Sequence, residues 1–174
     1  MINQDSEELF PIVEEDGRVV GSATRTECHS GSKLLHPVVH LHLFNSDGDL
    51  YLQHRPSWKD IQPNRWDSGV GGHVDFGEMV QDALARESRE ELGIEGFDPQ
   101  FICSYIFESE RERELVHVYT TCFDGEVCPT EELDGGRFWS VGEISESLGK
   151  DIFTPNFESE LLNVLVKYNK VCIV

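Results

Sequence analysis

The segment that most constrains the fold is a predicted amphipathic helix over residues 78–92, whose apolar side turns acidic halfway along. Its first two turns carry apolar residues at the i, i+3, i+4 spacing of a face that packs on a protein interior, namely Val80, Ala83 and Leu84. One turn further, that side continues into Glu87 and Glu91, with Glu90 beside them. Gathering buried carboxylates is costly unless something pairs them, and a hard divalent cation bound by oxygen ligands would do so. The sequence therefore predicts a metal site at this helix.

A glycine-rich loop is predicted to lead into this helix. The stretch Ser68-Gly69-Val70-Gly71-Gly72 lets the backbone come close to a ligand, and its carbonyls or amides can join a metal or phosphate site at the helix entrance. Arg86 lies four residues before Glu90, a spacing at which an ion pair would fix the orientation of one side chain. The alternative is a solvated acidic helix end in which Arg86 and Arg89 pair with the glutamates. The glycine-rich approach favours the metal site.

The spacing around this helix resembles the Nudix box. Gly72, five residues, Glu78, seven residues and then Arg86-Glu87-Ser88-Arg89-Glu90-Glu91-Leu92-Gly93-Ile94 match its fixed positions, and Ser88 stands where an aliphatic residue is usual. The resemblance implies that the catalytic carboxylates also bind Mg²⁺ or Mn²⁺, together with one backbone carbonyl: Glu87, Glu90, Glu91 and Gly72. It implies structural roles in the motif for Glu78, which braces the loop, and for Arg86 and Gly93.

The same resemblance implies an α/β (α+β) fold, a Nudix-type α/β/α sandwich with a mixed central sheet and a loop–helix–loop metal motif. The order of elements agrees, because strands and helices intermix without a regular βαβ rhythm. Strands are predicted at residues 10–13, 18–22, 36–44, 50–54, 101–107, 115–123 and 137–141. A polar loop is predicted over 55–66, and an amphipathic helix over 157–168, whose apolar stripe indicates core packing or a homodimer contact. We expect a single domain over residues 1–174, with an N-terminal hairpin over 1–25 and a core over 30–170.

A second set of metal-binding residue types surrounds the box. Glu112 and Glu114 are two residues apart at a strand entrance, so they share one face, and His73 follows the glycine-rich loop. Over residues 24–123 the chain is similar to type I isopentenyl-diphosphate isomerase, a Nudix-fold enzyme. That resemblance implies a metal site of three histidines and two glutamates: His29, His36, His73, Glu112 and Glu114. The alternative is a packed or semi-buried polar face, since His36, His40 and His42 share one side of a strand.

The isomerase resemblance also implies substrate contacts, and it breaks at one position. Arg55 and Lys59 fall where that enzyme holds the diphosphate of its substrate, and Trp66 falls where it has an aromatic residue. Gly71 stands where the isomerase needs a cysteine as proton donor and acceptor, and a glycine cannot relay a proton. Cys28, beside His29, is the one cysteine that we expect could approach this place in space. The resemblance therefore disfavours the isomerase reaction and keeps its metal scaffold.

The net charge restricts the class of ligand and the way it is bound. With 33 acidic and 14 basic residues the formal charge is −19, so the basic footprint of a nucleic-acid-binding or membrane-surface protein is absent from the sequence. Such a surface repels anions at long range, and bound metal ions are the local charges that would reverse this field. The five cysteines form no C-x-x-C pair, and no apolar run suggests a leader or a membrane span, so we expect a cytoplasmic protein with free thiols.

These expectations converge on one function, with two alternatives. The sequence predicts a hydrolase dependent on Mg²⁺ or Mn²⁺ that cleaves the diphosphate linkage of a small organic diphosphate, such as a nucleoside diphosphate derivative. The first alternative is an isopentenyl-diphosphate isomerase-like enzyme. The second is a non-catalytic nucleotide-binding sensor, which the intact acidic box argues against.

Overall fold

The computed structural model describes residues 8–59 and 61–173 of the chain. The ends of the expected domain, and residues 1–7 of the expected hairpin, lie outside the described residues. The strands are β1 Leu9–Val13, β2 Val19–Thr24, β3 Leu35–Phe44, β4 Leu50–His54, β5 Trp66–Ser68, β6 Val70–His73, β7 Gln100–Glu108, β8 Arg113–Cys122 and β9 Gly136–Trp139. The helices are α1 Arg25–Cys28, α2 Val80–Leu92, α3 Val141–Ser147 and α4 Pro155–Glu160, which continues as a π-helical turn over Leu161–Val166.

The central sheet is mixed, as predicted. Five strands follow the order β5-β4-β3-β8-β7, while β6 pairs with β3 and β9 pairs with β4. The long pair β3 and β8 runs parallel, and the other pairings are antiparallel. The strands β1 and β2 form a separate antiparallel hairpin, which confirms the expectation for residues 10–13 and 18–22.

Helices cover both faces of this sheet. Successive residues of a strand point to opposite faces, so Val39, Leu41 and Leu43 pack under α2, while Val38 lies on the other face beside Val164. On that second face, Leu50 and Leu52 of β4 pack against the C-terminal helix, at Phe157, Leu161 and Leu165. The result is the predicted α/β/α sandwich, and the C-terminal apolar stripe is core. In the described part of the chain no helix combines the length and apolar character needed to cross a membrane.

Several local expectations need correction. Helix α2 begins at Val80 rather than at residue 78, and Val141, expected in the last strand, is the first residue of α3.

The glycine-rich segment is not a loop, because Val70 to His73 form β6 and pair with β3, from Val38↔His73 to Leu41↔Val70. A strand ladder uses only backbone groups, so glycine does not prevent pairing where a neighbouring strand offers its edge. The C-terminal helix begins at Pro155 rather than at 157, because the Thr154 hydroxyl caps it by accepting the Phe157 N–H at 3.1 Å.

Candidate metal centre

The carboxylates of α2 enter the body of the protein where its apolar stripe ends. Ala83 and Leu84 are fully buried, and the next turn of the same side brings Glu87 and Glu91 against β6. A β-carbon at Gly72 would overlap the carboxyl group of Glu87. Gly72 is therefore needed because the strand backbone and the carboxylate meet without a side chain between them.

Arg86 holds the acidic groups of the box in place. Its guanidinium donates to Glu78 at 2.9 Å, to Glu87 at 2.7 Å and to Glu90 at 3.2 Å. The Glu90 contact is the i,i+4 ion pair expected from the sequence. Arg86 also donates to the backbone carbonyl of His73 at 2.9 Å, so it ties the helix to the end of β6. Glu78 accepts the Asp75 N–H at 3.0 Å, which closes the turn that precedes α2.

Glu91 is the most enclosed of the three box carboxylates. Its Oε2 accepts the Gly71 N–H at 3.1 Å and the Gln53 side-chain amide at 3.3 Å. Burial raises the pKa of Glu91 to about 8, although the Gly71 hydrogen bond opposes this shift. Burial also raises the pKa of Glu87 to about 7, against the pull of Arg86. The raised pKa values mean that these buried carboxylates lack enough nearby positive charge to stabilise their ionised forms. A hard divalent cation such as Mg²⁺ or Mn²⁺, which prefers oxygen ligands, would supply that charge.

The position that departs from the box pattern is accommodated locally. Ser88 is fully buried, and its hydroxyl donates to the Leu84 carbonyl at 2.7 Å. Gly93 ends α2 in the left-handed conformation, with φ of 64°, and its N–H returns to the Arg89 carbonyl. Both residues therefore serve the helix rather than a ligand.

A second cluster forms at the other end of β6 from four elements. Ligand atoms of His29, His36, His73 and Glu114 lie within 4.8 Å of one another. Glu112 completes the set, with its Oε2 3.4 Å from His29 Nε2. His29 Nε2 and His73 Nε2 are 3.2 Å apart, and Glu114 Oε1 lies 3.9 Å from His73 Nε2. The structure thus brings together all five residues that the sequence assigned to this site.

The imidazoles of this cluster are oriented and neutral, which is the form that binds metals. His36 Nδ1 lies 2.9 Å from the Leu34 carbonyl oxygen, so Nδ1 donates and Nε2 presents a lone pair. That Nε2 atom is buried and has no hydrogen-bond partner among the described residues. Burial lowers the pKa of His29 to about 4, with Arg25 adding to the effect, and burial lowers the pKa of His73 well below its ordinary value. Burial and the neighbouring Glu112 raise the pKa of Glu114 to about 7, so this donor set also fits a cation.

The three residues expected to contact substrate have other contacts in the structure. Arg55 donates to the Ile61 carbonyl at 2.8 Å and reaches Asp67 at 3.4 Å, so it closes the 55–66 loop. Trp66 packs against His54 and Trp139, with ring centroids 4.9 and 5.1 Å apart. The Lys59 ammonium lies 4.9 Å from the ring centroid of Trp58. Substrate contact by Arg55, Lys59 and Trp66 stays a prediction.

Cys28 does not supply the missing thiol. It is fully buried in a small apolar cluster with Phe10 and Ala23. Burial, with Glu27 nearby, raises the pKa of the Cys28 thiol to about 11, which keeps it protonated and unreactive at neutral pH.

Sequence reasoning missed three contributors to the site region. Phe10 stacks on His73, with centroids 4.4 Å apart and an angle of 2°, and Gln53 holds Glu91. Neither residue type carries a sequence signal for such a role. Glu160 is buried against His40 and His42. It did carry a signal, because it falls on the apolar side of the C-terminal helix between Phe157 and Leu161.

Known proteins resemble this chain in sequence and in fold. Residues 34–157 match the NUDIX domain family. An uncharacterized Nudix hydrolase of Streptomyces coelicolor is 32% identical over 154 residues, covering 87% of this chain and 84% of that protein. Isopentenyl-diphosphate Delta-isomerase 1 of Photorhabdus laumondii is 27% identical over 173 residues, covering 92% and 97%. The crystal structure of the Deinococcus radiodurans protein DR0079 matches with a TM-score of 0.77 at 25% identity, covering 90% of this chain and 98% of that one.

Proposed function

The chain belongs to the NUDIX domain family and is an enzyme of the Nudix pyrophosphohydrolase type, and we propose that it cleaves the diphosphate linkage of a small organic diphosphate. A nucleoside diphosphate derivative is the substrate class that we favour. The observation that carries this proposal is the arrangement of Glu87, Glu90 and Glu91, here called the α2 cradle. In it Glu87 fills the space left by Gly72, and Glu91 accepts a hydrogen bond from the Gly71 N–H.

The proposed division of labour follows from burial and hydrogen bonding. Glu87, Glu90 and Glu91, with the Gly72 carbonyl, would hold Mg²⁺ or Mn²⁺. When bound, such a cation neutralises diphosphate oxygens and lowers the pKa of a coordinated water. Arg86 fixes the carboxylates for this task, and Glu90, with a side chain 48% exposed, is the one most open to water. One of the three carboxylates accepts the proton of the attacking water or holds that water in place.

We propose a second cation site at the three histidines and two glutamates. The support is geometric: four donors lie within 4.8 Å of one another, Glu112 lies 3.4 Å from His29, and the buried Nε2 of His36 has no hydrogen-bond partner in the described part of the chain. A cation held there, together with one held by the α2 carboxylates, would offer the proposed diphosphate two positive charges. This offsets the long-range repulsion expected from the net charge of −19.

The isomerase alternative is favoured by one observation and opposed by another. The histidine–glutamate cluster is present, and a relative over nearly the whole chain is named an isopentenyl-diphosphate Delta-isomerase. Gly71 has no group that moves a proton, and Cys28 is buried with a raised pKa. We therefore expect no interconversion of isopentenyl diphosphate at saturating Mg²⁺. Interconversion at an enzymatic rate, without phosphate release, would establish the alternative instead.

A substrate screen tests the hydrolase proposal. Purified protein is incubated with nucleoside diphosphate derivatives, dinucleotides, nucleoside triphosphates and prenyl diphosphates, with Mg²⁺ or Mn²⁺, and the products are identified by mass. We expect at least one compound to be split between its phosphorus atoms, with turnover abolished by a chelator. Tight binding of metal and nucleotide without any product would favour the sensor alternative and contradict the proposal.

A further inference from the structure

A buried polar network lies on the sheet face opposite α2. Glu160 of α4 is 3% exposed and receives three donors. His40 Nδ1 lies 2.9 Å from its Oε2, His42 Nε2 approaches its Oε1, and the Tyr105 hydroxyl also donates to its Oε2. An ionised carboxylate is stable in a protein interior when it is paired in this way. The network therefore places the Glu160 carboxylate under the middle of β3.

Glu160 fixes the orientation of the His40 ring. Because Nδ1 is bonded to the carboxylate, Nε2 must point away from it, towards β6. Gly71 is the residue directly opposite His40 on β6. A β-carbon at Gly71 would lie 3.6 Å from His40 Cδ2 and 3.7 Å from Nε2, so any larger side chain would cover the ring. The His40 side chain remains 17% exposed, and its Nε2 has no hydrogen-bond partner among the described residues.

Neighbours of His40 on β3 and β6 contact both candidate cation sites. The Gly71 N–H, opposite His40, donates to Glu91 of the α2 cradle. In the other direction along β3, His36 lies on the same face as His40 and pairs with Glu114 of the histidine–glutamate cluster. We therefore expect a diphosphate that contacts both cations to bring an oxygen to this part of β3.

The charge state of His40 suits contact with an anion. Burial disfavours the imidazolium, but the charge and hydrogen bond of Glu160 outweigh it and raise the pKa of His40 to about 9. With both nitrogens protonated, Nδ1 donates to Glu160 and Nε2 is free to donate to a ligand.

We propose that His40 Nε2 donates a hydrogen bond to a phosphoryl oxygen of the substrate, and that Glu160 is the positioning residue that aims it. The inference rests on the proposed substrate class of organic diphosphates. It adds a protein cation near the carboxylates and neutral imidazoles of the two candidate cation sites. It also gives Gly71 a role, which is to leave the face of His40 uncovered.

Two substitutions at one position separate this role from a structural one. His40→Asn keeps a donor near the position of Nδ1 and loses the Nε2 donor, whereas His40→Gln keeps a donor near the position of Nε2. Binding of methylenediphosphonate, which hydrolysis cannot cleave, is measured by calorimetry in Mg²⁺, beside KM and kcat for a confirmed substrate. His117→Asn is the matched control, because His117 lies on β8 and bonds Ser104 at 2.8 Å, away from the network.

We expect His40→Asn to weaken methylenediphosphonate binding and raise KM about ten- to a hundredfold, the loss typical of a hydrogen bond to a charged group. We expect the kcat of His40→Asn to change by less than about threefold. His40→Gln should recover part of the affinity. Glu160→Gln should shift Kd and KM in the same direction as His40→Asn. The control should match the wild type. A Kd and KM for His40→Asn within twofold of the wild type would overturn the proposal, even if the variant unfolds more easily.

The outcomes also separate this inference from the proposed function. If the wild type hydrolyses a diphosphate and His40→Asn does so with unchanged KM, the hydrolase stands and the inference fails. If nothing is hydrolysed but methylenediphosphonate binding still depends on His40, the inference stands and the proposed reaction fails.

Discussion

The carboxyl group of Glu87 occupies the space that a β-carbon at Gly72 would need. Since the conflict is with the end of a flexible side chain, we predict that Gly72→Ala displaces Glu87 and costs little stability. Hydrolysis should fall by about tenfold or more, because the cradle loses a metal ligand. Gly21→Ala, where a β-carbon would meet open space, is the control for both turnover and thermal unfolding. Normal activity with Gly72→Ala would show that the position of Glu87 is unimportant.

Arg86 should contribute more to stability than its neighbour on the same helix. It joins three carboxylates and the His73 carbonyl with a side chain 23% exposed, whereas Arg89 pairs with Glu95 at 3.6 Å on the surface. We predict that Arg86→Gln lowers the free energy of unfolding by about 1–3 kcal/mol, because partly buried carboxylates lose their donor. Arg89→Gln should cost less than about 0.5 kcal/mol. Urea unfolding in a chelator measures both, and equal losses would contradict this assignment.

Ionisation of Glu91 should destabilise the metal-free protein as the pH rises through neutrality. The folded-state pKa of Glu91 is raised to about 8, so the folded protein binds its proton more tightly than the unfolded chain. This contribution is complete below the ordinary pKa of a glutamate, about 4.3, and is lost as the pH rises to about 8. In a chelator, the free energy of unfolding of Glu91→Gln should therefore fall less steeply with pH over that range than that of the wild type. Parallel curves would show that Glu91 titrates normally.

How far the sequence predicts this molecule depends on whether a feature is local. Helix spacing alone predicts the ion pair of Arg86 with Glu90 and the burial of Ala83 and Leu84. The histidine–glutamate cluster depends on the parallel register that sets His36 beside Glu114, which spacing does not reveal and only the family resemblance indicated. The β6 strand and the approach of Phe10 to His73 depend on tertiary pairing, so no local signal predicts them.

The second cation site predicts a change in metal stoichiometry at His36. We expect the wild type to bind about two divalent ions and His36→Gln about one, since removing one ligand from such a site typically weakens it strongly. His54→Gln, on β4, is the matched control and should retain both ions. Elemental analysis after equilibrium dialysis against Mn²⁺ gives the count. An unchanged number of bound Mn²⁺ ions in His36→Gln would refute the second site, and metal binding would then be assigned to the α2 cradle.

The most direct measurement of the central claim is the Mg²⁺-dependent rate of hydrolysis of a confirmed diphosphate by the wild type and by Glu91→Gln. Glu91 lies at the centre of the cradle, bonded to Gly71 and Gln53, and the substitution preserves its volume. We predict a fall in kcat/KM of at least about a hundredfold, with folding retained by circular dichroism. A Glu91→Gln variant that hydrolyses the substrate at the wild-type rate, with the same dependence on Mg²⁺, would contradict the account.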